Sequence, residues 1–251
     1  MSVDALAENK NLVQVEQTLL AAKTWRYLRY MHAVESLTRV AQDVETICVC
    51  GAGGGWAEIA LAIRFPHIRF TLTDIIDKTH GYPSYHKAMS FCWSRGIDNV
   101  AFSIWNVLQP TKRKFDMIMS TEMLEHIDRD REAAAVMRAA ASKYVYCLVP
   151  YADEATNANP AIQRRVKERA EHERPGYDER TLQEFFGNPV QIAGTYWMDA
   201  GRQFREKLQS MTPDEIKQRR EELLVEARQD IRDVIPRKYP DALGIKILAS
   251  V

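Results

Sequence analysis

The sequence predicts an α/β protein with a mainly parallel sheet, helices on both faces of that sheet, and helical additions at both ends of the chain. The first observation is a short apolar run, Ile47 to Cys50, that enters a glycine-rich turn and then a helix-forming segment. The second is a strand-like run from Arg69 to Thr73 that ends at Asp74. The third is the alternation of strand and helix signals that follows, which is typical of a parallel sheet. The first two observations together describe a βαβ unit with a nucleotide-type loop.

The loop Gly51-Ala52-Gly53-Gly54-Gly55 is suited to holding a nucleotide-like ligand. Its glycines permit positive φ angles and close approach of a ligand, and the helix that follows offers free N–H groups and a positive dipole end. Asp74, about twenty residues past the turn, can accept hydrogen bonds from ribose hydroxyls. A dinucleotide-binding fingerprint requires a third glycine where this chain has Trp56. The loop therefore argues against NAD.

The spacing Gly51-x-Gly53-x-Gly55 resembles motif I of the class I S-adenosylmethionine (SAM) methyltransferases. Downstream, Phe115 to Ser120 is similar to the fourth strand of that family. The segment Thr121 to Asp128 resembles the part that follows this strand in the ubiquinone-biosynthesis O-methyltransferases. The resemblance extends from about Glu45 to Tyr196, and it implies a Rossmann-like class I methyltransferase sheet with SAM as the cofactor. It does not specify the substrate.

The resemblance also implies which residues contact SAM. They lie in the glycine loop and after the second, third and fourth strands: Gly51, Ala52, Gly53, Gly55, Asp74, Ile75, Asn106, Val107, Ser120 and Glu122. Two positions depart from the family's pattern, since Val49 replaces an acidic residue before the first glycine and Asn106 replaces an acid after strand three. The amide oxygen of Asn106 can accept from an adenine amino group as a carboxylate does. Weaker SAM binding and a different set of contacts both stay open.

The chain divides into an N-terminal helical part, residues 1–42, and a methyltransferase domain, residues 43–251, with a helical insertion at about 199–236. The N-terminal helices are expected either to pack on the core or to form a substrate lid. Asp178 is a good N-cap for a short helix, and Thr212 begins a capping box for an amphipathic helix to about Val234. The segment Gly244 to Ala249 reads as a last strand, which in the methyltransferase fold inserts antiparallel into the sheet.

Composition narrows the class of protein. The chain has 251 residues, of which 46% are apolar, enough for one α/β domain with appended helices. Basic and acidic residues number 34 each, so the formal net charge is zero, which counts against a nucleic-acid partner but does not exclude a local basic patch.

The spacing of the cysteines and the hydropathy of the chain indicate its cellular compartment. The four cysteines show neither zinc spacing nor a disulfide framework. The N-terminus lacks a signal pattern, and no apolar run approaches the roughly 18 residues of a membrane span. We expect a cytoplasmic protein without membrane contact. Homodimerisation through the terminal helices is one hypothesis, for which the sequence carries no specific signal.

A group of acidic and histidine residues follows the fourth predicted strand. Glu122, Glu125 and His126 fall within one helical turn, beyond the carboxyl end of a strand, where open α/β sheets bind ligands. The pattern Glu-x-x-Glu-His followed later by His172 resembles the metal site of the small-RNA 3′-terminal 2′-O-methyltransferases. This resemblance implies Mg, Mn or Zn bound by Glu122, Glu125, His126 and His172. Two alternatives stay open: a structural role for the Glu–His pair, and metal-free chemistry with His126 or His172 as the general base.

The acid and histidine residues favour O-methylation, because a hydroxyl nucleophile needs deprotonation or metal polarisation. The first hypothesis is SAM-dependent methylation of a small-molecule hydroxyl, on a sugar or glycan precursor or on a phenol. Aromatic residues after Asp74, among them Tyr82 and Tyr85, and the long polar connection after Pro150 could line the acceptor pocket. The alternatives are a metal-dependent RNA ribose 2′-O-methyltransferase and a SAM-binding module without catalytic activity.

Overall fold

The computed structural model of the chain describes residues 9–75, 85–229 and 242–251. The strands are β1 (Thr46–Cys50), β2 (Arg69–Asp74), β3 (Val100–Ile104), β4 (Phe115–Thr121), β5 (Ala141–Pro150), β6 (Pro189–Trp197) and β7 (Ala242–Ser250). The helices are α1 (Lys10–Ala21), α2 (Arg26–Val40), α3 (Trp56–Arg64), α4 (His86–Arg95), α5 (Asp130–Ala140), α6 (Glu154–Ala158), α7 (Pro160–Ala170), α8 (Glu179–Phe186), α9 (Met198–Ser210), α10 (Pro213–Gln218) and α11 (Arg220–Gln229). A short 3₁₀ helix, Leu124–His126, follows β4. The predicted pocket residue Tyr82 and the predicted helix end near Val234 lie outside the described residues.

Within the described residues, seven strands form one sheet in the order β3-β2-β1-β4-β5-β7-β6. The first five strands pair in parallel, whereas β7 lies antiparallel between β5 and β6. The antiparallel last strand was expected from the family resemblance, and the structure confirms it. Because β1 and β4 are central neighbours, the loops that follow them meet at the same edge of the sheet.

Both faces of the sheet are covered by helices, as predicted. Side chains alternate along β1, so that Ile47 and Val49 belong to one core cluster and Cys48 and Cys50 to the other. The first cluster includes α1 to α4 and the C-terminal helices, and the second includes α5 and α8. All four cysteines are buried free thiols. Among the described helices, none combines the length and the apolar character needed to cross a membrane.

The two N-terminal helices belong to the main core. Asn9 caps α1 by accepting from the backbone N–H groups of Asn11 and Leu12, as the preference for Asn at N-caps leads one to expect. Helix α2 buries nine residues, including Tyr27, Leu28 and Tyr30. This burial fixes the position of α2 relative to the sheet, and with it the side chains that α2 directs toward the strand ends. The role of these helices as a lid stays a prediction.

The insertion is helical as far as Gln229, where the described residues end before β7. The amphipathic pattern from Thr212 predicts a single helix, whereas the structure has two helices there. The capping box at Thr212 is present, with the Thr212 side chain accepting from the Glu215 backbone and Glu215 from that of Thr212. The helix ends at Gln218, however, and a second helix begins at Arg220. Arg220, at the start of the second helix, is only 6% exposed and donates to Glu16 in α1.

Gly55→Ala is expected to destabilise the fold by about 2–4 kcal/mol, the sum of a left-handed backbone and an overpacked contact. Gly55 has φ of +71°, and a Cβ there would lie 2.9 Å from Leu72 Cδ2. Gly96→Ala is the matched control, because Gly96 has φ of +64° but open space around it. Urea unfolding measures both variants. Equal losses of stability would show that close packing of α3 on β2 contributes nothing.

A buried ion pair ties α2 to β7. Lys246 is fully buried and donates to Glu35, which also accepts from Gln191 Nε2 at 3.0 Å and Arg39 Nε at 2.6 Å. Burial raises the pKa of Glu35, but the Lys246 ammonium and these hydrogen bonds lower it to about 2. The charged carboxylate therefore stabilises the folded state near neutral pH.

The stability of the protein is expected to fall as the pH is lowered from 4.5, the ordinary pKa of a glutamate, to about 2, the folded-state pKa of Glu35. The sign follows from the lowered pKa, because the unfolded chain takes up the proton first. Glu35→Gln should remove on the order of 1–2 kcal/mol of this pH dependence. Glu132→Gln, in an exposed pair with Arg129, is the control and should keep the wild-type profile. An unchanged profile in Glu35→Gln would contradict the assignment.

Candidate cofactor and metal site

The glycine loop between β1 and α3 is held by the end of β2. The backbone N–H of Gly53 donates to Asp74 Oδ2 at 2.8 Å, and the N–H of Ala52 donates to the Thr73 carbonyl at 3.0 Å. Gly51, Gly53 and Gly55 all have positive φ. A Cβ on Gly53 would meet no atom within 4 Å, so the backbone of the loop borders open space. A ligand can approach the loop closely at this point.

Two carboxyl groups lie beside the loop. Asp74 Oδ1 accepts from the Ile75 N–H at 2.8 Å, and since each carboxylate oxygen has two lone pairs, both oxygens of Asp74 keep capacity for a hydroxyl donor. Glu58, in the first turn of α3, is buried, and burial raises its pKa to about 7. Ile75 is 45% exposed and provides an apolar surface beside Asp74. These features suit a ribose, and the contacts themselves stay predictions.

The loop after β3 lies against the end of β2. The Trp105 N–H donates to the Asp74 carbonyl at 3.1 Å, and Asn106 Oδ1 accepts from the Leu108 N–H at 2.9 Å. Asn106 thus already has one partner for the oxygen that was predicted to meet the adenine amino group, and a second lone pair remains. Val107 is buried. The roles of Asn106 and Val107 toward the cofactor stay predictions.

Ser120, the remaining predicted cofactor residue on β4, is fully buried between β1 and β5, where it pairs with Cys50 and Cys147. Its Oγ has no hydrogen-bond partner among the described residues. Because the Ser120 hydroxyl is not exposed to solvent, it lies below the surface of the candidate cofactor site. Its predicted contact with the cofactor is untested.

Glu122 follows β4 in a backbone conformation that is uncommon for a residue with a side chain. Its φ is +51°, and its N–H donates to the Leu148 carbonyl at 2.8 Å. Such conformations often occur at functional sites, where the surrounding structure holds them in place. Arg29 Nη2 of α2 donates to Glu122 Oε2 at 2.6 Å. An arginine from the N-terminal helices therefore reaches the carboxyl end of the sheet.

The structure brings together three of the four predicted metal ligands, Glu125, His126 and His172. One ligand atom from each residue lies within 4.8 Å of the others, and the two imidazole rings meet edge to face with centroids 4.7 Å apart. Glu122 is not in this group, which we call the Glu–His–His cluster, because its carboxylate binds Arg29. The placement of Glu122 is the departure from the predicted ligand set.

Backbone groups fix the cluster from two sides. His126 Nδ1 lies 3.2 Å from the Glu171 carbonyl, and since a carbonyl only accepts, Nδ1 donates and Nε2 keeps its lone pair. The Glu173 N–H donates to the Glu125 carbonyl at 2.7 Å, which joins the segment carrying His172 to the 3₁₀ helix. Glu171 adopts a left-handed conformation at the end of α7, with φ of +57°. The negative end of the α7 dipole therefore faces the cluster and favours a cation there.

Burial shifts the pKa values of the residues at this site in the direction that favours their neutral forms. Burial raises the pKa of Glu125 well above its usual range, and the neighbouring Glu122 carboxylate raises it further. Burial, with help from His126 and Arg29, lowers the pKa of His172 to about 4. Burial also raises the pKa of Glu122, against the effect of Arg29. Burial thus disfavours an additional proton on the His172 imidazole and negative charge on the two carboxyl groups.

The cluster fits a divalent metal ion. Both carboxylate oxygens of Glu125 are buried and have no hydrogen-bond partner in the described part of the chain, and the same holds for His172 Nδ1. Buried polar atoms without partners are costly and require an explanation. One carboxylate and two imidazoles form a donor set that borderline cations accept, and the exposed side of His126 leaves a route for entry. A metal ion would satisfy all of these unpaired atoms together.

Helix α7 is an exposed, basic segment that leads directly to His172. Neither α6 nor α7 buries a residue. Arg164, Arg165 and Arg169 are exposed on α7, and the described residues provide no ion pair for them. A polar cleft of about 560 Å³ lies beside this segment and is lined in part by Glu173 and Arg174. The predicted binding loop after β5 is therefore a helical excursion that is basic along α7, whereas the cleft beside it is lined by more acidic than basic residues.

Comparisons with known proteins support the fold. No protein-family model and no curated protein matches the chain. Among solved structures, the chain is similar to a geranyl diphosphate methyltransferase in complex with GPP and sinefungin, at 10% identity and a TM-score of 0.57, over 87% of this chain and 78% of that one.

Two further structures give the same result. The methyltransferase domain of bacterial CtHen1 matches at 10% identity and a TM-score of 0.53, over 91% of this chain and 100% of that one. An O-methyltransferase family protein from Burkholderia thailandensis matches at 14% identity and a TM-score of 0.51 over 72% of this chain. The chain spans 55% of the length of that protein. The predicted class I methyltransferase fold is confirmed, whereas a likeness to the ubiquinone-pathway enzymes in particular is not.

Proposed function

We propose that this chain is a SAM-dependent methyltransferase that methylates a hydroxyl of its acceptor at a divalent-metal site. The observation that carries the proposal is the Glu–His–His cluster, in which the Glu125 oxygens and His172 Nδ1 are buried and have no hydrogen-bond partner among the residues that the structure describes. The cluster lies beyond β4, next to the strand that enters the glycine loop, within a fold that the solved methyltransferases share. A structural Glu–His pair would be expected to have its hydrogen bonds satisfied within the protein.

The glycine loop and Asp74 would bind the cofactor in this function. Asp74 would accept hydrogen bonds from the ribose hydroxyls, and the glycine loop, which borders open space at Gly53, would contact the cofactor. Methyl transfer from a sulfonium asks mainly for alignment of the acceptor oxygen with the methyl group. The segment from Glu171 to Glu173, which is hydrogen-bonded to Glu125, and the packed helix α2 would hold the acceptor in position for that alignment.

Glu125, His126 and His172 would hold the metal ion. When bound, the ion supplies a Lewis acid that lowers the pKa of a coordinated hydroxyl. Two imidazoles favour Zn or Mn over Mg, which prefers oxygen ligands. His126 keeps its Nε2 lone pair available because Nδ1 donates to the Glu171 carbonyl, and no described residue competes for the Glu125 oxygens.

The acceptor class proposed first is a small molecule with adjacent hydroxyls, either a sugar derivative or a phenol. A formal net charge of zero gives the whole chain no general attraction for polyanions. The named neighbours differ in their acceptors, since one is a geranyl diphosphate methyltransferase and another an O-methyltransferase family protein. The fold therefore does not decide the acceptor, and the metal cluster is the feature that favours oxygen.

The test is methyl transfer from labelled SAM to a catechol and to a panel of sugars, with metal-stripped protein and with added Mn²⁺, Zn²⁺ or Mg²⁺. The proposal predicts transfer to oxygen that depends on the metal and is lost with a chelator. Transfer without any metal would leave the methyltransferase assignment but contradict the metal site. Tight SAM binding with no transfer to any acceptor would favour a non-catalytic module.

Ribose 2′-hydroxyls of RNA are the second candidate acceptor, favoured by the exposed arginines on α7 that lead to His172. The Glu-x-x-Glu-His motif and the later His172 also resemble the sequence pattern of the small-RNA 3′-terminal 2′-O-methyltransferases. RNA binding through these arginines should weaken steeply with salt, by roughly one unit of slope per phosphate contact. Binding that is absent at low salt, or unchanged in Arg164→Gln, Arg165→Gln and Arg169→Gln, would exclude this acceptor.

A further inference from the structure

Arg29 and Glu122 form an ion pair at the edge of the candidate metal site, although α2 was not expected to reach it. The pair joins Arg29 Nη2 and Glu122 Oε2 at 2.6 Å, and the side chains are 27% and 16% exposed. Arg29 Nε is buried and has no hydrogen-bond partner among the described residues. The guanidinium therefore has one strong partner and spare donor capacity.

Glu122 lies in the turn that leads to the Glu–His–His cluster, whereas Arg29 lies on the packed helix α2. Arg29 extends from a helix whose neighbouring residues Leu28 and Tyr30 are each 1% exposed, so its backbone is fixed by packing. Glu122 lies in the turn after β4, only three residues before Glu125. Glu122 is thus close to the Glu–His–His cluster without belonging to it.

We propose that Arg29 withholds Glu122 from the metal ion until an anionic group of a ligand takes the place of Glu122 on Arg29. Glu122 then joins Glu125, His126 and His172 as the fourth ligand. The inference rests on the proposed metal site. It makes Arg29 a positioning residue that couples metal binding to ligand binding.

Charge balance supplies the reason for the coupling. If Glu122 left Arg29 without a replacement, a partly buried guanidinium would be uncompensated beside a metal cation, which is strongly unfavourable. A carboxylate or phosphate that forms a bidentate pair with the guanidinium removes that penalty. Metal and anion should therefore bind with positive cooperativity, and by linkage each should strengthen the other by the same factor.

Two sources can supply the anion, the carboxylate of the cofactor's amino-acid part and an acidic group on the acceptor. The experiment separates them by measuring Mn²⁺ affinity of the metal-stripped protein alone, with S-adenosylhomocysteine, with 5′-methylthioadenosine, which lacks the carboxylate, and with inorganic phosphate. A gain of roughly tenfold or more with S-adenosylhomocysteine but not with methylthioadenosine assigns the cofactor. A gain with phosphate assigns an acidic acceptor. Equal Mn²⁺ affinity under all four conditions overturns the proposal.

Variants test the role of Arg29 directly. Arg29→Gln should bind Mn²⁺ roughly tenfold or more tightly than wild type without any anion, and added anion should then change nothing. Arg26→Gln, which removes the same charge from an exposed position on α2, is the control and should keep the wild-type coupling. The double variant Arg29→Gln with Glu122→Gln should lose the gain, because the gain comes from a freed Glu122.

The outcomes distinguish this inference from the metal site itself. If the double variant binds Mn²⁺ as tightly as Arg29→Gln does, the higher Mn²⁺ affinity of Arg29→Gln comes only from removing the repulsion between the Arg29 charge and the metal ion. Glu122 is then not a ligand. If Arg29→Gln behaves as wild type, Arg29 does not withhold Glu122. If neither wild type nor Arg29→Gln binds Mn²⁺, Zn²⁺ or Co²⁺ under any condition, the metal site fails and the inference fails with it. Binding that is insensitive to Arg29 overturns the inference alone.

Discussion

Glu125→Gln is expected to abolish metal binding while leaving the metal-free protein as stable as wild type. Glu125 is fully buried, and within residues 9–75, 85–229 and 242–251 neither of its carboxylate oxygens has a hydrogen-bond partner. Glutamine has the same shape but offers a neutral amide that ligates divalent ions poorly. We expect the dissociation constant for Mn²⁺ or Zn²⁺ to rise at least about a hundredfold, beyond the loss typical for outer-shell residues. Methyl transfer should fall to the level of the metal-stripped wild type.

The measurement pairs metal titration with thermal unfolding. Added metal should raise the melting temperature of wild type, as any ligand specific for the folded state does, and should leave that of Glu125→Gln unchanged. Glu173→Gln is the matched control, since Glu173 is close by but pairs with Lys167 and contributes only its backbone N–H to Glu125. A Glu125→Gln protein that binds metal as wild type does would remove Glu125 from the site.

Glu16→Gln is expected to destabilise the fold by about 3–5 kcal/mol, because it leaves buried cations without their counter-charge. Glu16 in α1 is fully buried and accepts from Arg64 at the end of α3, from Arg220 at the start of α11, and from Tyr30 Oη of α2 at 3.0 Å. One carboxylate thus holds four helices together. Two of them matter for the site, since α3 follows the glycine loop and α2 carries Arg29.

Urea unfolding near pH 7 measures this effect as a shift of the midpoint. Glu206→Gln is the control, because Glu206 is exposed on α9, and it should change stability by less than about 0.5 kcal/mol. Removing both charges, in Glu16→Gln with Arg220→Met, should recover part of the loss, since replacing a whole buried pair costs less than breaking it. If Glu16→Gln unfolds at the wild-type urea concentration, the network does not hold the helices.

Local sequence signals predicted the features that depend on neighbouring residues. The glycine loop, the capping box at Thr212 and the N-cap at Asp178 lie where the pattern placed them. The antiparallel β7 came from the family resemblance. Each of these depends on backbone conformation or periodicity within a few residues, or on a topology common to the fold.

Features that depend on distant pairs could not be predicted in this way. Arg29 and Glu122 are 93 residues apart, and Glu16 and Arg220 are 204 apart. Nothing local marks Arg29 as different from Arg26, its neighbour on the same helix. The sequence pattern named Glu122 as a metal ligand, but it could not show that Arg29 pairs with the Glu122 carboxylate.

Calorimetric titration of SAM into metal-stripped protein tests most directly whether the chain binds this cofactor. We expect a dissociation constant on the order of micromolar, weakened at least about tenfold in Asp74→Ala, because the acceptor for the ribose and the hydrogen bond to Gly53 are both lost. Asp98→Ala, which changes an exposed acid, should bind as wild type does. No binding of SAM or S-adenosylhomocysteine at millimolar concentration would contradict the account.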